Sequence, residues 1–323
     1  EGARIWSLKC WWLSNMIEQN RTIHEKMILF WFNHIPIQFY EVFFGRWDYQ
    51  YIELMRRHAL GNVKDLVKAV TLDAAMLHFL NGQYNDKEAP DENYARELQE
   101  LYCIGKGINA NFTERDVQAA AKILTGWRID YGNDQPYFDE EAHDTSDKQF
   151  SEFYGNRIIS GRSGQAGKEE LDDLLDMLFD NEECALFLCR KLYRFFVHYN
   201  IDDWTETNII EPLAEQLRAN DYEILTILRT LFESQHFFDA LRKGAIIKSP
   251  MDFIVSLYRE FNTPLPPKTR LKDRYEHNGN LVYMGYIFDQ DLGDPPNVAG
   301  WPAYHQIPMY DKNWITTNTL PNR

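Results

Sequence analysis

Residues 92–100 carry the densest set of groups able to do chemistry. At helical spacing, Asn93, Arg96, Glu97 and Glu100 fall at i, i+3, i+4 and i+7 and share one strip. Tyr94, Leu98, Leu101 and Tyr102 form the apolar face beside it. Asn93 and Glu97 border that face, where a carboxylate is partly desolvated and its pKa raised. Such a carboxyl suits a general base or a ligand for a hard cation. The same spacing also reads as a solvated face, since Glu92 with Arg96 and Arg96 with Glu100 are i,i+4 ion pairs. Spacing alone favours the ion pairs.

His34 stands on the stripe of Met27, Phe30 and Trp31, so it points inward. A lone histidine there is more often a satisfied core residue than an acid–base group. Asn33 beside it suits a helix C-cap. His143 and Asp144 lie among Asp139, Glu140, Glu141 and Asp147. That cluster reads as an acidic loop or as a cation site, with oxygens for Ca²⁺ or Mg²⁺ or with His143 for a transition metal. These residue types name no cofactor outright, and a divalent cation is the candidate they offer. Arg190 and Lys191 are adjacent and diverge by about 100° on a helix, so one at most faces a common site. Lys248 precedes Ser249-Pro250, where an anion could meet free N–H groups; a surface lysine is the plainer reading. Asn297 and Trp301 ride on a stiff Pro-rich loop, with Trp314 downstream. Such a loop walls a pocket or closes over a core. No Gly-x-Ser-x-Gly elbow, Gly-rich phosphate loop or His-Glu-x-x-His is present. Cys10, Cys103, Cys184 and Cys189 lack zinc-ligand spacing and read as buried thiols.

The elements that must position these groups are helical. The 323 residues are 44% hydrophobic and 26% charged, a core-forming composition. A net charge of −15 leaves no broad basic surface for nucleic acid or anionic membranes. The longest apolar run, residues 27–32, is far short of the roughly 20 needed to span a bilayer. Aromatics reach 15%, which suits either aromatic packing or a stacking surface. Apolar periodicity predicts helices around residues 27–34, 63–80, 91–105, 114–127, 171–178, 185–199, 224–232 and from 250 onward. Residues 135–161 break the pattern and suggest one short hairpin, and residues 262–270 are a Pro-rich loop. The expected architecture is all-α: an irregular multi-helix globular domain spanning 1–323, with one small β-hairpin excursion and an irregular tail from about 294. The chain reads as a fragment of a longer protein, with any targeting segment upstream.

Seven stretches, in order, resemble the bacterial domain of unknown function 1800 family. They are Phe30-Trp31-Phe32-Asn33-His34, residues 89–98, Leu124-Thr125-Gly126-Trp127, His143-Asp144-Thr145 with Lys148, Arg190-Lys191-Leu192-Tyr193, Ile247-Lys248-Ser249-Pro250, and residues 295–302. The resemblance implies a mostly helical, exported bacterial protein of the periplasm or cell envelope, often encoded beside a sulfatase-like partner. It supplies no reaction. Phe32 stands where the family commonly has His, so a two-histidine metal site does not carry over, and Asp91 stands where Asn is common. Two function classes follow. One is an enzyme with Glu97, Asn93, Arg96 and His34 as acid–base groups acting on a polar or anionic substrate. Trp301, Asn297, Lys248 and Arg190 would bind that substrate, and His143 and Asp144 would hold a metal. The other is a non-catalytic binding or scaffold protein whose polar motifs hold helices in register.

Overall fold

A computed structural model describes residues 1–107, 109–304 and 310–323. The chain is predominantly helical, with two small antiparallel ribbons as its β structure among the described residues. It divides into two compact units: residues 1–59, 193–200 and 234–323 form the first, and residues 60–192 and 201–233 the second.

In the first unit, helix Gly2–Glu18 packs against Gly45–His58, Pro250–Glu260 and Leu271–Ile287. Helix His24–His34 is buried on nearly every side, as its apolar run demands. Phe32 meets Trp12 and Phe39 edge to face, with ring centroids 5.1 and 5.5 Å apart. Much of the aromatic surplus is therefore core packing. Ser249 caps helix Pro250–Glu260, with Pro in its first turn. Helix Leu271–Ile287, of 17 residues, has no counterpart in the sequence expectation. Its internal glycines weaken the helical signal, and the packing explains one of them. A Cβ at Gly285 would lie 2.0 Å from Met251 Cε, so glycine permits the close approach.

In the second unit, the helix expected over 63–80 is two, Val63–Thr71 and Ala74–Phe79. The Asp73 carboxylate accepts the Ala75 N–H at 2.9 Å and starts the second afresh. Helix Asn93–Glu97 runs into a π-helical turn, Leu98–Cys103. The helix expected over 114–127 ends early, as Glu114–Ile123. Gly126 turns the chain at φ 92°, and a Cβ there would stand 2.7 Å from the Asp139 carbonyl oxygen. Trp127 thus opens a strand, β1 (Trp127–Asp130), paired with β2 (Gln135–Phe138) so that Trp127 faces Phe138. A second ribbon joins β3 (Lys148–Gln149) to β4 (Ile158–Ile159). The β excursion is therefore two ribbons and begins eight residues before position 135. Helices Glu170–Asp180, Glu211–Ala219 and Ile224–Glu233 also belong to this unit, and helix Glu182–Phe196 starts in it, its residues from 193 onward counting with the first; Tyr199 lies beyond the helix expected to carry it. Among the described residues, no helix is long and apolar enough to cross a membrane.

Candidate functional site

The strip of residues 93–100 is built as its spacing suggests. Asp91 Oδ1 accepts the Asn93 N–H at 2.8 Å and begins the helix. The Arg96 guanidinium lies 2.8 Å from Glu92, 2.7 Å from Glu114 and 3.6 Å from Glu100. Lys106 joins Glu100, so the cluster is a surface ion-pair network. Asn93 is exposed, while Glu97 is half-buried. Burial and then the neighbouring Glu100 raise the Glu97 carboxyl above its ordinary value, against Lys106 and Arg96. The π-turn that follows is pinned by Gln99, a wholly buried residue that the sequence reading did not single out. Its amide donates to the Ala95 carbonyl at 3.1 Å, and Tyr154 OH donates to its Oε1 at 2.9 Å.

His143 sits in a different arrangement. Thr125 Oγ1 donates to the Lys122 carbonyl at 2.6 Å and accepts the Asp144 N–H at 2.8 Å. His143 Nδ1 lies 3.0 Å from the Thr125 carbonyl oxygen. Its Nε2–H donates to Glu170 Oε1 at 3.1 Å, since an ionised carboxylate only accepts. Lys148 Nζ donates to Glu170 Oε2 at 2.6 Å, and the Arg162 N–H reaches Oε1 at the same distance. His143, Lys148 and Glu170 are all removed from solvent. Burial alone would raise the Glu170 carboxyl; hydrogen bonds from His143, Lys148 and Arg162 outweigh it and hold the pKa below its ordinary value. A Cβ at Gly167 would come within 2.6 Å of His143 Cδ2, so the ring has no spare room. The Asp144 carboxylate accepts from the Ser146 N–H at 2.8 Å in a local turn. Burial opposes, but those Ser146 hydrogen bonds and Lys148 leave its pKa lowered. Among the described residues no group of three His, Cys, Asp or Glu side chains could hold a metal ion. Sequence reasoning missed Glu170, which looks like any acidic residue in a first helical turn.

Arg96 and His143 meet opposite ends of one helix. Arg96 pairs with Glu114 at its start, and His143 bonds Thr125 just past its end. Eleven residues at the helical rise separate those anchors by roughly 16 Å. Arg190, the other site residue of this unit, lies between Glu183 and Glu206 at 2.6 and 2.5 Å.

The remaining site residues belong to the first unit. His34 is buried, its ring parallel to Phe30 with centroids 6.0 Å apart. Asn33 Oδ1 accepts the Trp301 N–H at 3.0 Å, which ties the first motif to the last. Gly300 makes this contact possible: at φ 89°, a Cβ would stand 2.4 Å from the Asn33 carbonyl oxygen. Asn297 Oδ1 accepts the Ala299 N–H at 2.8 Å within its own loop. Lys248 turns to Ser256 and Glu260, at 2.8 and 3.0 Å, on the helix it precedes.

Trp301 also walls a cleft of about 530 Å³, shared with Tyr286, Asp289, Asp291, Asp294 and Trp314. Behind it the fully buried Lys9 lies 2.6 Å from Asp291 and 2.7 Å from Asp294. Burial opposes the charge on Lys9, yet Asp294 and Asp291 raise its pKa. Burial raises the Asp291 carboxyl against the pull of Lys9. Lys9 stands in no motif, and nothing in its neighbourhood of sequence marked it.

Fold and motifs together define a mostly helical protein with polar motif side chains bonded inside each unit. The family model described as a protein of unknown function, DUF1800, matches residues 1–323, and the chain belongs to that family. No curated protein and no solved structure matches it.

Proposed function

We propose that this chain is a non-catalytic binding or scaffold protein whose polar motifs hold its elements in register. One observation carries the reading: the motif side chains His143 and Lys148 converge on Glu170 in a dry network, with Thr125 behind the far side of the His143 ring. The same use of polar groups recurs in Asn33 with Trp301 and in Arg190 with its two glutamates. Buried polar groups so completely bonded fix a unique packing and leave little capacity for a ligand. Work in the bacterial cell envelope beside a sulfatase-like partner is part of the proposal and rests on the family resemblance. Thermal unfolding of Asn33→Ala and Glu170→Gln tests the structural role. Both should melt well below the parent chain, and melting unchanged in both would end the reading.

A second reading is favoured by Glu97 alone. A half-buried carboxyl with a raised pKa beside a π-turn is a recognised setting for acid–base chemistry. Glu97→Gln separates the two, because it should abolish any turnover yet leave binding by a scaffold intact.

A further inference from the structure

The loop between helices Gly2–Glu18 and His24–His34 carries an acceptor pattern that the proposed function leaves unused. Asn20-Arg21-Thr22 is an Asn-x-Thr triplet, the acceptor of asparagine-linked glycans where it stands on a surface loop. Bacterial transferases of this class also select an acid two residues before the asparagine, and Glu18 occupies that place. The chain holds a second triplet, Asn111-Phe112-Thr113, but there the preceding position is Asn109. One molecule thus carries a complete acceptor and an incomplete one.

The structure separates the two further. Residues 19–23 belong to no helix or strand, and Asn20, Arg21 and Thr22 are exposed. The Asn20 amide makes no hydrogen bond among the described residues. Thr22 Oγ1 accepts the His24 N–H at 3.2 Å, which leaves its own proton to be donated. Arg259 holds the loop by its carbonyls alone, donating to those of Ile17, Gln19 and Asn20 at 3.0, 2.5 and 3.2 Å. The backbone is anchored while the Asn20 and Thr22 side chains face solvent. Glu18 engages Arg274 at 2.8 Å and Lys268 at 3.9 Å through Oε2, and Oε1 stays open. At the other triplet the hydroxyl is taken, because Thr113 Oγ1 donates to Asp116 Oδ2 at 2.9 Å.

We infer that Asn20 is a site of asparagine-linked glycosylation, taking an oligosaccharide from a polyprenyl diphosphate donor. The Asn20 amide nitrogen attacks the anomeric carbon of the sugar. A C–N bond forms and the C–O bond to the diphosphate breaks. The polyprenyl diphosphate leaves with that electron pair, and one amide proton passes to a carboxylate of the transferase. The Thr22 hydroxyl and the Glu18 carboxylate are the groups by which the enzyme selects this asparagine. Such transferases face the outside of the cytoplasmic membrane, so the inference rests on the cell-envelope location in the reading above.

Purified native chain, incubated with a bacterial oligosaccharyltransferase and an undecaprenyl diphosphate-linked oligosaccharide, tests the inference by mass spectrometry. A peptide of residues 16–24 serves as the unfolded substrate. In solution the outcome does not depend on where the chain resides, so failure here is distinct from failure of the location. One glycan should be added, on Asn20, with Asn111 unmodified. Asn20→Gln should abolish it. Glu18→Gln and Thr22→Ala, both exposed changes, should each lower occupancy about tenfold with circular dichroism unchanged, the loss of one recognition hydrogen bond. Modification of the peptide but not of the chain would overturn the inference, because the fold would then withhold the loop. No modification of either would overturn the acceptor pattern itself. Equal occupancy at Asn20 and Asn111, or full occupancy in Glu18→Gln, would overturn the role of the acid. The melting data that test the structural role of the motifs stand apart from all of these results.

Discussion

Lys148 and Glu170 face each other across 2.6 Å with neither side chain reaching solvent. They lie 22 residues apart, and their pairing ties the β excursion to the helix Glu170–Asp180. His143 completes the arrangement from the other carboxylate oxygen. A buried ion pair of this kind adds little net stability over apolar residues of equal volume, but losing one partner leaves a buried charge uncompensated.

Acid should act through Glu170. Its folded pKa lies below the ordinary carboxyl value of 4.5, so the native state holds its proton less tightly than the unfolded chain. The resulting stability is fully present above pH 4.5 and disappears as pH falls through the folded value. Urea unfolding followed from pH 6 to pH 3 should therefore show a steeper acid loss in the parent chain than in Glu170→Gln. Parallel curves would contradict the assignment.

Glu97 should behave in the opposite sense. Its raised pKa means that the native state binds the proton more tightly, so stability falls as pH rises from 4.5 through the folded value. Glu97→Gln should melt at or above the parent temperature at pH 7, and the difference should vanish below pH 4. A large drop in melting temperature at pH 7 would show that the carboxylate holds the fold together.

The part of this design legible in sequence was set by local rules. Apolar periodicity located the helices around His34, Leu171 and Ile224, and Ser249-Pro250 gave a helix start. What sequence could not give was long-range. Gly126 turns the chain at a positive φ where the Asp139 carbonyl leaves no room for a side chain, a constraint that no local pattern encodes. Gly279 and Gly285 hid a helix, and the close approach of Met251 that Gly285 permits is set by distant packing. Lys9 and Glu170 matter through partners 282 and 22 residues away, so their own surroundings carried no signal.

The thiols should be inert. Cys10, Cys103, Cys184 and Cys189 are all buried, and burial pushes the Cys10 thiol up to about 11 and raises those of Cys103 and Cys189. Only the thiolate attacks a disulfide reagent. An aromatic disulfide titrated at pH 8 should find no reactive thiol in the native protein and four in denaturant. Rapid native labelling would show that a core segment opens readily.

Gly300 should tolerate no side chain. Its φ of 89° disfavours other residues, and a Cβ would enter the Asn33 backbone. Gly300→Ala should destabilise by about 1–3 kcal/mol, the range for backbone strain of this kind. Asn33→Ala removes the hydrogen bond to the Trp301 N–H at the same contact, so the two losses combined should fall short of their sum. Simple additivity in urea unfolding would mean that Gly300 and Asn33 act separately.

The most direct test of a structural role for the motifs is a double-mutant cycle on the dry pair, Lys148→Met with Glu170→Leu, read by urea unfolding at pH 7. Each single change leaves a buried charge without its partner and should lose about 3–5 kcal/mol, whereas the double change should lose less than the two single losses added, the His143 Nε2–H and the Arg162 N–H still lacking their acceptor. Single variants as stable as the parent chain, or more stable, would contradict the account, because residues maintained for chemistry are held at a cost to folding and their removal is neutral or stabilising.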